Sequence, residues 1–257
     1  MEITIAENAA AIGEAAAARG AAGLRDAIAR NGAATVVLAT GVSQFPVLAA
    51  LVREDVDWSR VTAFHLDEYI GMGPDHPASF RRFLRERFVA HVPSLRAFHF
   101  IAGDAPDPAA ELARINALIA EQEVDVMFAG IGENAHLDFN DPPADFEVDA
   151  GFHRVRLDER CRRQQLGEGW FATLADVPDE AISMTIRQIM RAQTIVLSVP
   201  DRRKAEAVRD TLEGPVTPMV PASILRGHER CYLYLDPDSA ALLQRPNRQS
   251  STEGTPR

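Results

Sequence analysis

Val124-Asp-Val-Met-Phe-Ala129 runs directly into Gly130-Ile-Gly-Glu-Asn-Ala-His-Leu-Asp-Phe-Asn-Asp141. The first six residues are short, apolar, β-branched and aromatic, which predicts a buried strand. Gly130 and Gly132 predict a sharp turn and a close backbone approach to a ligand. Beyond them come an amide, an imidazole and two carboxylates: Asn134, His136, Asp138 and Asp141. In an open α/β sheet, ligands sit just past the carboxyl ends of the strands. On its own this loop admits a plainer reading, with His136 a hydrogen-bonded turn residue and Asp141 a cap before the next element.

Working outward, the same pattern recurs on both sides. Residues 34–39 (Ala-Thr-Val-Val-Leu-Ala) predict a buried strand that breaks at Thr40-Gly41-Val42-Ser43, with a helix over 44–52. Ser43 is a candidate N-cap, and Pro46 fits a first helical turn. Strand, glycine turn and helix start form a ready anion site, because backbone N–H groups converge there. An ordinary turn with a capping serine explains the same residues. Residues 61–66 predict a strand ending in Asp67-Glu68-Tyr69. Adjacent carboxylates at a strand end point in different directions, so one can face a pocket while the other caps a neighbour.

Further strands are expected at 1–5, 97–101, 152–157, 194–199 and 229–235. Helices are expected at 8–30, 80–89, 108–121, 181–192 and 203–213, with a short one at 221–226. The first is alanine-rich, with Asn8 as N-cap and interruptions at Gly20 and Gly23. The arginines of 80–89 (Arg81, Arg82, Arg85, Arg87) read as a solvated face. Lys204 opens the helix at 203–213, either as a solvated cation or facing a bound anion. Residues 147–178 are irregular and form a candidate lid. Strands and helices in alternation predict one domain, residues 1–244, with a parallel, doubly wound, Rossmann-like three-layer α/β/α architecture. Residues 245–257 are polar and are expected to be disordered.

Composition narrows the function classes. The 257 residues are 46% hydrophobic, enough for a sizeable core. The formal charge of −10, without a long basic block, argues against nucleic acid as a partner. An anionic ligand must then be held by a local positive site. Cys161 and Cys231 lie in no metal-type spacing, and two reduced thiols fit a cytoplasmic protein. No apolar run is long enough to span a membrane, and the first residues lack a signal peptide's pattern. The sequence leaves the oligomeric state open, a homo-oligomer included.

Several stretches together resemble the glucosamine-6-phosphate deaminase/isomerase family, within a superfamily that includes 6-phosphogluconolactonases. They are Phe64-His-Leu-Asp-Glu-Tyr-Ile-Gly71, His76-Pro-Ala-Ser-Phe80 and Gly130 to Pro142. Ala39-Thr-Gly-Val-Ser43 is similar to its phosphate loop, and Lys204-Ala205, Leu212-Glu-Gly214 and Pro221-Ala-Ser-Ile-Leu225 to its C-terminal signature. The resemblance implies a reaction without metal or cofactor, converting glucosamine 6-phosphate and water to fructose 6-phosphate and ammonia. It implies Asp67 as the base moving a proton between carbons 2 and 1, and His136 as the group that opens the sugar ring. Asn134 and Asp141 would orient His136, and Thr40, Gly41, Val42, Ser43, Gln44 and Lys204 would hold the phosphate. A carboxylate suits the first role when partly desolvated, and an imidazole suits the second near neutral pH.

The chain departs from the family pattern at Asn134, often Asp, at Asp141, usually Glu, and at Ala135, usually Gly. Asp138 stands where a small residue is usual. Arg160, Arg162 and Arg163 are candidates for the family's lid arginine. Two other readings share much of this pattern: a 6-phosphogluconolactonase-like hydrolase and a non-enzymatic sugar-phosphate sensor.

Overall fold

The computed structural model describes residues 1–167 and 169–244. The tail expected to be disordered, 245–257, lies outside the described residues. In chain order the elements are β1 (Glu2–Ile5), α1 (Ala9–Asn31), β2 (Ala34–Leu38), α2 (Phe45–Leu51), β3 (Val61–His65) and β4 (Asp67–Tyr69). Next come α3 (Phe80–Arg87), β5 (Ala97–His99), α4 (Pro108–Ala120), β6 (Val126–Ala129), β7 (Phe152–Arg156) and α5 (Glu159–Gly167). The last are β8 (Glu180–Met184), α6 (Ile186–Met190), β9 (Thr194–Val199), α7 (Ala205–Glu213) and β10 (Cys231–Leu235).

Seven strands form a parallel sheet in the order β1-β10-β9-β6-β2-β3-β5. Alternation along its strands sends side chains to two cores. Val126 and Phe128 of β6 join Ile12, Leu24, Leu48 and Leu84 from α1, α2 and α3. Met127 and Ala129 join Ile115, Ile189 and Val208 from α4, α6 and α7. Helices therefore cover both faces, as the alternating sequence pattern predicts. The chain steps outward from β2 to β3 and then returns to the other side of β2 with β6. That reversal is the switch point at which such sheets open a crevice.

The sequence did not reveal the second sheet. β4, β8 and β7 pair antiparallel, with Asp67 opposite Ser183 and His153 opposite Ser183 on the other side. The expected helix at 181–192 is instead β8 followed by the short α6. Ala181, Ile182, Ser183 and Met184 are all buried, and a run buried on both faces carries no period that separates strand from helix. Phe152, Ile182 and Met184 of this small sheet share the core of the large one, so the two form a single domain.

Three smaller expectations are corrected. α1 runs through Gly20 and Gly23 without interruption. A Cβ at Gly20 would meet Phe128 Cζ at 2.0 Å, and one at Gly23 would meet Val126 Cγ2 at 2.8 Å. These glycines let α1 lie close on β6. Ser43 caps no helix; Gln44 holds the N-cap position of α2, after a single 3-10 turn over Val42–Gln44. Arg81 is buried rather than solvated. It lies 2.8 Å from Asp104 Oδ1 and 3.6 Å from Glu68 Oε2, and it donates to the Met72 carbonyl.

Candidate active site

Four loops at the carboxyl ends of β9, β6, β2 and β3 surround one cavity of about 580 Å³. The loop after β2 contributes Thr40, Gly41, Val42 and Ser43, and the loop after β6 contributes Gly130 to Glu133, His136 and Asp138. Asp67 opens β4, two residues after the last of β3, and Arg202, Arg203 and Lys204 follow the end of β9. β3 and β9 are three strand spacings apart, about 14 Å at about 4.8 Å each. Cations therefore stand at one side of the cavity and Asp67 at the other, with the two central loops between them.

Local sequence explains how each group arrives. Gly41 has φ 94°, a left-handed conformation that favours glycine, and it turns the chain sharply off β2. Gln44 does not line the cavity. Its side-chain nitrogen donates to Ser43 Oγ at 3.1 Å and approaches the Ala129 carbonyl at 3.5 Å, propping this loop on β6. Asp201 has φ 90° and accepts from the Arg203 N–H, forming the turn that presents Lys204 at the start of α7.

The glycines of the central loop act differently from expectation. Neither Gly130 nor Gly132 is left-handed; the left-handed positions are Ala135 (φ 65°) and Asp138 (φ 55°). Gly132 matters for space, since a Cβ there would sit 2.3 Å from His136 Nε2. The sequence signal for this residue was present, but its reason was not.

Asp67 and Glu68 divide their roles as adjacent strand-end carboxylates can. Glu68 is fully buried and accepts from Ser79 Oγ and from the Tyr69, Phe80 and Arg81 N–H groups, tying β4 to the start of α3. Asp67 faces the cavity. Burial pushes its carboxyl well above the usual range, and the charges of Asp138 and Glu68 push it further. Burial raises Asp138 as well.

His136 is buried, with Nδ1 3.2 Å from Asp141 Oδ1. Asn134 bridges the two. Its amide nitrogen donates to Asp141 at 3.1 Å, and its oxygen accepts from the His136 backbone N–H at 3.1 Å. Asn134 and Asp141 do not line the main cavity; they stand behind the imidazole. Burial pushes the Asp141 carboxyl up, but bonding and charge from His136, with bonds from Asn134 and the Asp158 N–H, more than offset this and hold it below its usual range. Cys161 completes a cluster whose donor atoms with those of His136 and Asp141 lie within 4.8 Å of one another. Burial and the neighbouring Asp141 push its thiol far up. Cys161 brings α5 against Asp141, and its backbone N–H donates to Asp158 Oδ1.

Ser183 is the residue that sequence reasoning missed. Its strand pairs with Asp67, and its hydroxyl accepts from the Phe139 N–H at 3.1 Å. Asn140 adds a bond to the Met184 carbonyl at 2.8 Å. β8 thus fastens the Asp67 segment and the His136 loop to each other. Of the candidate lid arginines, Arg162 is spent on the Leu174 and Val177 carbonyls, while Arg160 and Arg163 line a smaller adjoining cavity of about 260 Å³ with Asn134 and Arg203. Both cysteines are buried and unpaired. Among the described residues no helix is long and apolar enough to cross a membrane.

Residues 7–138 match the family described as glucosamine-6-phosphate isomerases/6-phosphogluconolactonase. A glucosamine-6-phosphate deaminase of Exiguobacterium sibiricum is 41% identical over 209 residues, 81% of each chain. One from Streptococcus pneumoniae serotype 4 is 38% identical over 213 residues, 83% of this chain and 89% of that one. A solved monomeric glucosamine-6-phosphate deaminase superposes with a TM-score of 0.85 at 29% identity, covering 95% of this chain and all of the other. A 6-phosphogluconolactonase from Shewanella baltica superposes at 0.76 with 18% identity, over 92% of this chain and 97% of that one, a likeness of fold alone.

Proposed function

The chain belongs to the glucosamine-6-phosphate isomerase/6-phosphogluconolactonase family, and from that premise we propose that it is a glucosamine-6-phosphate deaminase. The observation that carries this reading is that Asp67 and His136 line one cavity together with residues 40–43 and Lys204. A hexosamine 6-phosphate has matching ends, a phosphate dianion and a reacting C1–C2 pair. The phosphate is held by the 40–43 loop, propped by Gln44, and by Lys204. Its binding energy positions the distant carbons.

His136, oriented by Asp141 and Asn134, moves a proton between the anomeric hydroxyl and the ring oxygen, giving the open chain. Asp67 then takes the C2 proton and returns it to C1, while the C2 ammonium gives up one proton and the C1 carbonyl oxygen takes one up. The resulting imine at C2 takes up water and loses ammonia, leaving fructose 6-phosphate. A partly desolvated carboxylate with a raised pKa is well matched to carry that proton. These steps draw on proton transfer and water, and residues 1–244 contain every group invoked.

The test is an ammonia-release screen across hexosamine 6-phosphates, galactosamine 6-phosphate included. Glucosamine 6-phosphate is expected to give the highest kcat/KM. Lactone hydrolysis with no ammonia from any of them would overturn the reading.

A further inference from the structure

Asp138 takes no part in the chemistry above, yet it shares the cavity with Asp67. Its Oδ2 is buried and has no hydrogen-bond partner. An aspartate in the left-handed region ordinarily bonds to nearby backbone; this oxygen does not. Nor is the position loosely held. Leu137 and Asn140 bridge across it, and the next residue, Phe139, is bonded to Ser183. A buried acceptor left unpaired calls for an explanation, and a ligand group is one.

We propose that Asp138 is a specificity-determining residue that receives the C2 ammonium of the substrate, so that the cavity selects amino-sugar phosphates over counterparts with a neutral group at C2. The inference rests on the deaminase reading for the identity of that carbon. Asp67 works at C2, so a second carboxylate facing the same space meets the substituent on C2. A hexosamine brings a cation there. A hydroxyl or acetamido group brings hydrogen-bond donors but no charge, and leaves two carboxylates in a largely desolvated space without compensation. Burial already pushes both carboxyls up, and the charge of Asp138 pushes Asp67 further, so a cation between them is what allows both to ionise. The cavity then offers the 40–43 loop and Lys204 to the phosphate and the Asp67–Asp138 pair to the amine.

The test uses two unreactive open-chain probes, 2-amino-2-deoxyglucitol 6-phosphate and glucitol 6-phosphate, titrated calorimetrically into the whole chain. Wild-type protein is expected to prefer the amine by about tenfold or more. Asp138→Asn is expected to bring the two within about threefold, mainly by weakening the amine probe. Asparagine tolerates the left-handed backbone, and Asp138→Gly serves as a second variant if thermal unfolding shows the first to be damaged. Equal wild-type affinities, an undiminished preference in both variants, or equal weakening of both probes would overturn the inference. Ammonia release by the wild type is scored separately. Release without discrimination sinks only the role of Asp138. Discrimination without release sinks the deaminase reading and leaves an amine-selective site.

Discussion

Asp141 Oδ1 lies 3.2 Å from His136 Nδ1 and also accepts from Asn134. The carboxylate therefore holds the imidazole from behind while the other ring nitrogen is left toward the cavity side, against Gly132. Asp141→Asn keeps the shape but removes the charge. We expect kcat to fall about 10²-fold with KM little changed, as for loss of support to an acid–base group. Asp141→Glu should recover most of the loss. Steady-state kinetics with both variants decide; a wild-type kcat in Asp141→Asn would mean that the pair is only structural.

Asp67 links function to stability with a definite sign. A carboxyl whose folded pKa lies above its unfolded value favours folding while protonated. That contribution is full below the unfolded pKa, near 3.8, and is lost as pH rises through the raised folded pKa. Asp67→Asn removes the loss. Its Tm should match the wild type near about pH 4 and exceed it by about pH 8, at about 2–4 °C per kcal/mol recovered. Thermal unfolding across that window checks this; a lower Tm at every pH would contradict it.

The same neighbourhood sets the pH–rate profile. Asp67 must be ionised to take the C2 proton, so kcat/KM falls on the acid side as it protonates. Its carboxyl is raised by burial first and by Asp138 next. Asp138→Asn removes the second cause and should move the acid limb to lower pH. An unmoved limb would show that another group controls it.

Two glycines separate packing from chemistry. At Gly20 an added methyl meets the Phe128 ring at 2.0 Å, and neither residue lines the cavity. Gly20→Ala should cost about 1–3 kcal/mol of stability with kcat retained. At Gly132 the methyl meets the His136 ring at 2.3 Å. Gly132→Ala should keep the fold and lose activity about 10²-fold, because a small displacement of a positioned group is costly. Denaturant melts and kinetics on both variants test the contrast.

The parallel sheet was legible because its central strands are continuous apolar runs, two of which, β2 and β6, break at glycine turns. Asp67, His136 and Lys204 were legible as chemical groups just past the ends of strands, and their convergence on one cavity follows from strand order. β8 was not legible, since Ala181 to Met184 are buried on both faces and carry no strand period. With β8 hidden, the link from Asp67 through Ser183 to the His136 loop was hidden too. Arg81 was misread for a related reason. Its helix carries four arginines, and only the tertiary neighbours Glu68 and Asp104 distinguish the buried one. Likewise Gly20 and Gly23 read as breaks because the partners that need their smallness, Phe128 and Val126, lie about a hundred residues away.

The most direct test compares wild-type protein with Asp67→Asn at saturating glucosamine 6-phosphate, counting ammonia and fructose 6-phosphate together. Wild-type protein should yield the two in equal amounts. Asp67→Asn should be slower by about 10³-fold while still binding 2-amino-2-deoxyglucitol 6-phosphate. Ammonia release by Asp67→Asn at the wild-type rate would contradict the assignment of that carboxylate as the base.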